Sequence, residues 1–139
     1  MTEPATAQVV TFHARRGPAA AGLAALRPRQ WPKNLLLFAG ILFAAKLGEA
    51  AKWVEAFAIF IAYCTASSAA YIVNDLRDVE HDRAHPVKRD RPIARGELPQ
   101  DRALVLAGML AAVAIGITAL LGFTSLLYLL GFEIGRAHV

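Results

Sequence analysis

Charge is what long parts of this sequence lack. Between Trp53 and Val73 only Glu55 is charged, and from Ala103 to Phe132 nothing is. With 56% hydrophobic and 19% charged residues, the charges clustered, the pattern excludes a soluble globule, whose surface needs polar groups throughout. Each of the two runs is long enough to cross a bilayer core, which takes about 20 helical residues. Cysteine is nearly absent as well. Cys64 stands alone inside a span, which rules out an intrachain disulfide framework and suits a small packing residue. There is no internal repeat, and no nucleic-acid motif or aromatic interleaving among the basic residues. The net charge of +4 is therefore assigned to topology and anionic lipid, with no nucleic acid as partner.

A third apolar run, Leu35 to Ala45, is short for a span; it reaches span length if Trp31 sits at one interface and Lys46 snorkels at the other. The run after Ala103 exceeds one span, and "GFTS" at 122–125 is expected to bend between a third helix and the start of a fourth. The closing "EIGRAHV" breaks the apolar pattern and looks like translated adapter sequence, so residues 133–139 are expected to be a non-native tail on a truncated chain. Arg15, Arg16, Arg27, Arg29 and Lys33 precede the first span, and Arg77, Arg83, Lys88, Arg89, Arg91, Arg95 and Arg102 follow the second. Only Lys46 and Lys52 lie between the first two, so the amino terminus and the 74–102 loop are expected to face the cytoplasm.

Residues 1–26, rich in Ala and Pro without an amphipathic period, predict a mobile cytoplasmic tail. "LRPRQWPKN" at 26–34 reads as an interfacial anchor, with a sharper alternative in which Lys33 and Asn34 bind an anionic headgroup or phosphate. "TASSAAY", residues 65–71, offers small residues for close helix packing in lipid.

The polar residues concentrate in "YIVNDLRDVEHDRAHPVKRDRP", directly after the second span. On a helix, Asn74, Asp78 and Asp82 are four apart, and Asp75 and Asp82 differ by only about 20° around the axis. One face would carry three carboxylates and an amide, a stripe that calls for compensating cations. Hard oxygens of this kind suit Mg²⁺ shared with a diphosphate. The bland alternative is a solvated loop whose acids pair with its own Lys and Arg. "HDRAH" has the outline of a zinc-binding pair, but Asp stands where Glu is needed and Pro86 follows. Beyond it, "HPVKRDRPIARGELPQ" predicts an ordered turn, whose Lys88, Arg89, Arg91 and Arg95 could hold phosphate oxygens.

"NDLRDVEHD" at 74–82 and "RPIARGEL" at 91–98 resemble the N-D-x-x-D-x-x-x-D and R-P-x-x-x-G segments of the UbiA superfamily of intramembrane prenyltransferases. With "LRPRQWPKN", the likeness is strongest to its decaprenyl-phosphate phosphoribosyltransferase branch. The resemblance implies an all-α, multi-pass transmembrane helix bundle over 27–132, the amino-terminal part of a longer enzyme, lacking a second acidic motif. It implies that Asp75, Asp78 and Asp82 hold Mg²⁺ on a diphosphate and that Asn74 orients it. Lys33, Lys88 and Arg91 are the expected phosphate contacts. The substrates it implies are phosphoribosyl pyrophosphate and a polyprenyl phosphate in a bacterial plasma membrane. Prenyl transfer to an aromatic or tetrapyrrole acceptor, and a non-catalytic membrane assembly protein, are the alternatives.

Overall fold

The computed structural model describes residues 14–36, 48–122 and Ile134. All regular structure among them is helical, in the order α1 (Pro18–Ala25), a 3-10 segment (Pro28–Leu35), α2 (Ala50–Arg77), α3 (Val79–Ala84), a 3-10 turn (Lys88–Asp90) and α4 (Gln100–Leu121). Most of the 35–45 run, the predicted fourth helix and all of the 133–139 tail except Ile134 fall outside the described residues.

Two helices are long and apolar enough to cross a membrane, α2 and α4. α2 has 28 residues, so at 1.5 Å per residue it is about 42 Å long, against roughly 30 Å of hydrocarbon. Its last turns, carrying Asn74, Asp75 and Arg77, therefore extend beyond an apolar slab centred on its middle. At the other end Lys52 and Glu55 pair at 3.0 Å.

α2 and α4 pack through small side chains. Ala103, Ala107, Ala114 and Thr118 are the buried residues of α4, spaced four, seven and four apart along one stripe. Ala66, Ser67, Ser68 and Ala69 are buried on α2, within the "TASSAAY" stretch, and Ala62 is buried one turn before them. Tyr63 and Ala66 meet Ala114 in one cluster. Short side chains let the backbones approach, which is where dispersion is gained when lipid supplies no hydrophobic drive. The Thr118 hydroxyl donates to the Ala114 carbonyl at 2.9 Å, so this polar group is satisfied within its own helix.

A second cluster closes the polar end. Ile72 of α2, Val79 of α3, Ile93 and Leu98 of the following loop, and Ala103 and Ala107 of α4 bury one another with Ala21 and Ala25 of α1. The expectation of a mobile tail over 1–26 meets a different arrangement here: Pro18–Ala25 is a helix whose Ala21 and Ala25 are 0% and 1% exposed. Pro18 starts it, where its missing N–H costs nothing, and Gly17 stands before it. The helix is apolar all round, PAAAGLAA, so its buried alanines stand out from no polar face and no period marks it.

Pro28 disfavours the α conformation for the residue before it, so α1 cannot run on. The backbone turns at Arg27 through the left-handed region, φ 52 and ψ 57. The 3-10 segment then lies along α2. Ser68 Oγ donates to the Leu26 carbonyl at 2.7 Å and accepts the Trp31 indole N–H at 3.2 Å, while Asn34 Nδ2 reaches Cys64 Sγ at 3.5 Å. Trp31, expected at the lipid interface, is thus tied to a helix.

The loop between α3 and α4 is the ordered turn its prolines and glycine predict. The Pro92 carbonyl accepts from the N–H groups of Glu97 and Leu98, and Gly96 supplies a φ of 72 that other residues rarely adopt. Arg16 straps this loop to the amino-terminal segment. Its backbone N–H and guanidinium both donate to the Glu97 carboxylate, at 3.1 and 2.9 Å, and Arg95 approaches the same carboxylate at 3.4 Å.

Candidate active site

The helical ladder runs almost unbroken through the acidic motif, with Asp78 N–H on the Asn74 carbonyl and Asp82 N–H on the Asp78 carbonyl. Asp78 itself, φ −99 and ψ 12, marks the joint between α2 and α3. Asp75 and Asp82 consequently keep the common side that their spacing predicts, and both point inward, at 3% and 2% exposure. Asp78 and Asn74 stay exposed.

Two carboxylates this deep need charge compensation, because an unpaired buried ion costs several kcal/mol. Arg91 provides it for both: Nη1 lies 3.0 Å from Asp75 Oδ1 and 2.7 Å from Asp82 Oδ2. Arg27 Nη2 makes a second, short contact to Asp75 Oδ1, and its guanidinium stacks 4.8 Å over the Tyr71 ring. Charge-assisted contacts of this kind are roughly twice as strong as neutral hydrogen bonds. Tyr71 is four residues before Asp75 on α2, so the ring supporting the arginine and the carboxylate receiving it share a face.

Above these pairs opens a cavity of about 380 Å³ lined by Arg27, Tyr71, Asn74, Asp75, Arg77, Asp78, Lys88 and Arg91. Lys88 is positioned by its neighbour: His85 Nδ1 accepts the N–H groups of Val87 and Lys88, each at 3.2 Å. That imidazole is a turn cap, which accounts for one half of the "HDRAH" outline. Arg83 points elsewhere, donating from Nε to the Ala94 carbonyl at 3.2 Å and bridging to Glu80.

Of the residues expected from the sequence, Asn74, Asp75, Asp78, Lys88 and Arg91 come together on this one cavity. Asp82 does not line it; the structure places it beneath, on Arg91. Lys33 is exposed on the 3-10 segment and is not among the lining residues. Arg27, Tyr71 and Arg77 belong to the cavity and were not singled out by sequence as site residues. Among the described residues, no three His, Cys, Asp or Glu side chains are grouped as a metal shell. Of the lining oxygens, the Asp78 carboxylate and the Asn74 amide are of the kind hard cations accept, while Asp75 Oδ1 is taken up by Arg27 and Arg91.

Electrostatics also holds the loop behind the cavity. Burial pushes the Glu97 carboxyl up, but the N–H and guanidinium of Arg16 and the charge of Arg95 outweigh it and keep it below the usual carboxylate range. Lys88 and Arg91 thus ride on a loop pinned at its far end.

Comparison with known proteins places this arrangement. The sequence model described as the UbiA prenyltransferase family matches residues 34–132. The decaprenyl-phosphate phosphoribosyltransferase of Mycolicibacterium smegmatis is 47% identical over 98 residues, covering 68% of this chain and 31% of that protein. The protein of the same name from Mycobacterium tuberculosis is 45% identical over 102 residues, 70% of this chain and 32% of its own length. The one from Corynebacterium glutamicum is 40% identical over 124 residues, 86% of this chain and 37% of its own. The chain spans about a third of the length of these curated relatives. The family match covers most of the chain and takes in the cavity-bearing end of α2 together with the loop that completes it; this chain belongs to the UbiA prenyltransferase family.

Proposed function

We propose that this chain forms the phosphate-binding and cation-binding wall of a membrane transferase that moves 5-phosphoribose from phosphoribosyl pyrophosphate to a polyprenyl phosphate such as decaprenyl phosphate. The observation that carries the reading is the cavity, where two carboxylates, an amide and four cationic side chains meet at the end of a helix long enough to cross a bilayer. The likeness to relatives named for this reaction supports the choice of substrates.

Arg27, Arg77, Lys88 and Arg91 would take diphosphate oxygens, the arginines with planar two-point contacts. Asp75, Asp78 and Asn74 would hold Mg²⁺, with Asp82 acting through Arg91 because it does not reach the cavity. When bound, Mg²⁺ offsets the negative charge that gathers on the departing pyrophosphate. In the transfer itself an acceptor phosphate oxygen bonds to the anomeric carbon, and pyrophosphate leaves with the electron pair of the broken C–O bond. The lipid tail of the acceptor stays among the apolar helices while its phosphate meets the cavity. The reading puts that cavity, and the amino terminus, on the cytoplasmic side of a bacterial plasma membrane.

The test uses the full-length protein in membranes with labelled phosphoribosyl pyrophosphate and polyprenyl phosphate, with and without Mg²⁺, beside Asp78→Asn. The expected result is a Mg²⁺-dependent lipid-linked product, reduced on the order of a hundredfold in the variant. No product from folded protein would move the assignment to prenyl transfer.

A further inference from the structure

Arg27 sits where a metal-binding reading would leave Asp75 open. Asp75 Oδ1 receives Arg27 and Arg91 together, and the Asp82 carboxylate is held by Arg91. Among the described residues that leaves Asp78 as the lining carboxylate outside an ion pair. One exposed carboxylate is a poor site for a divalent cation, which wants several oxygens in a fixed octahedron. The lining as a whole carries four cationic groups against two carboxylates, so it repels a lone dication and attracts a polyanion.

Arg27 also has a support that does not depend on Asp75. Its backbone is set in the left-handed region, Leu26 before it is anchored to Ser68, and its guanidinium rests on Tyr71. Such an arm keeps its place over the cavity when the carboxylate changes partner.

We infer that Arg27 is a positioning residue that keeps Asp75 closed to a lone divalent cation, so that the cavity takes its anion first, or anion and cation together. This rests on the reading of the cavity as a diphosphate site. Arg27 then serves two states of one site: counter-ion to Asp75 when the cavity holds no anion, and phosphate contact once it does.

Equilibrium dialysis of the full-length protein against pyrophosphate in EDTA, Mn²⁺ alone, and both together tests the order. Pyrophosphate is expected to bind without metal, and Mn²⁺ to bind only when pyrophosphate is present. Arg27→Gln should weaken pyrophosphate binding about tenfold, the size of one lost charge-assisted contact, and strengthen binding of Mn²⁺ alone. Arg27→Lys should restore both toward wild type. Mn²⁺ binding to the wild-type protein as tightly alone as with pyrophosphate would overturn the inference. So would a joint loss of both ligands in Arg27→Gln that Arg27→Lys fails to rescue, the mark of a merely structural arginine. If pyrophosphate binds in this order but no phosphoribosyl transfer occurs, the proposed reaction falls and the inference stands.

Discussion

Asp75 and Asp82 share one guanidinium, and that contact shows what a sequence can and cannot disclose at the scale of a residue. Their common face follows from a spacing of seven, a local fact. That they face inward follows from Arg91, which a turn built by Pro86, Pro92 and Gly96 swings back over them; the spacing is silent on that. Arg27 is harder still, since its partner is 48 residues away and nothing around "LRP" marks it as other than one more cation before a span. Glu97 yields a prediction at this scale. Its folded carboxyl lies below the ordinary value, so the stability it contributes is fully present above the unfolded value of about 4.3 and is lost as pH falls through the folded one. Thermal stability of the wild-type protein should exceed that of Glu97→Gln at pH 7, and the gap should close on acidification below about pH 4. A gap that persists unchanged at low pH would show that the Arg16 strap does not hold Glu97 as an anion.

Among the elements, the two long helices were legible because length and lack of charge mark a helix able to cross a bilayer core. The end of α4 is described as far as Gly122: the helix stops at Leu121, with Gly122 at φ 117 and ψ 157, while the rest of the bend expected at 122–125 lies outside the described residues. Side chains rarely adopt that conformation, and no neighbour within 4 Å would obstruct a methyl group there. The cost of Gly122→Ala is therefore backbone strain alone, about 1–3 kcal/mol, to be read as a fall in thermal unfolding temperature. A neutral outcome would mean that Gly122 does not hold this backbone conformation. α1 was not legible. Its eight residues bury two alanines and carry no stripe, so composition reads as a tail where packing makes a helix. The strap from Arg16 to Glu97 joins positions 81 apart in sequence, which no local pattern can announce.

For the whole molecule, the arrangement of exposed side chains matters more than any pair. The most apolar stretch of α4 is only 17% buried, leaving Leu104, Val105, Met109, Val113, Ile115 and Leu120 outward. So much contiguous apolar surface is tolerable only against lipid or further helices. The charged groups gather around the cavity and the 86–99 loop, and their excess of Lys and Arg is the ground for the orientation proposed above. Asp90, exposed on the turn between Lys88 and Asp90, gives a direct check. In a Cys64→Ala background, Asp90→Cys should react with an impermeant maleimide in inverted vesicles and resist it in intact cells. Labelling of intact cells would reverse the topology.

The unbroken run of α2 from Ala50 to Arg77 has a mechanical meaning. A stiff rod in a slab of variable thickness adapts by leaning, and the groups fixed to its protruding tip lean with it. Because Tyr71, Asn74 and Asp75 are built into that rod, while Arg27 is clipped to its side through Leu26 and Ser68, the tip and its arginine travel as one piece. Changes in bilayer thickness would then raise or lower this wall of the cavity as a unit, altering its height over the lipid surface while leaving the spacing of Arg27 and Asp75 untouched.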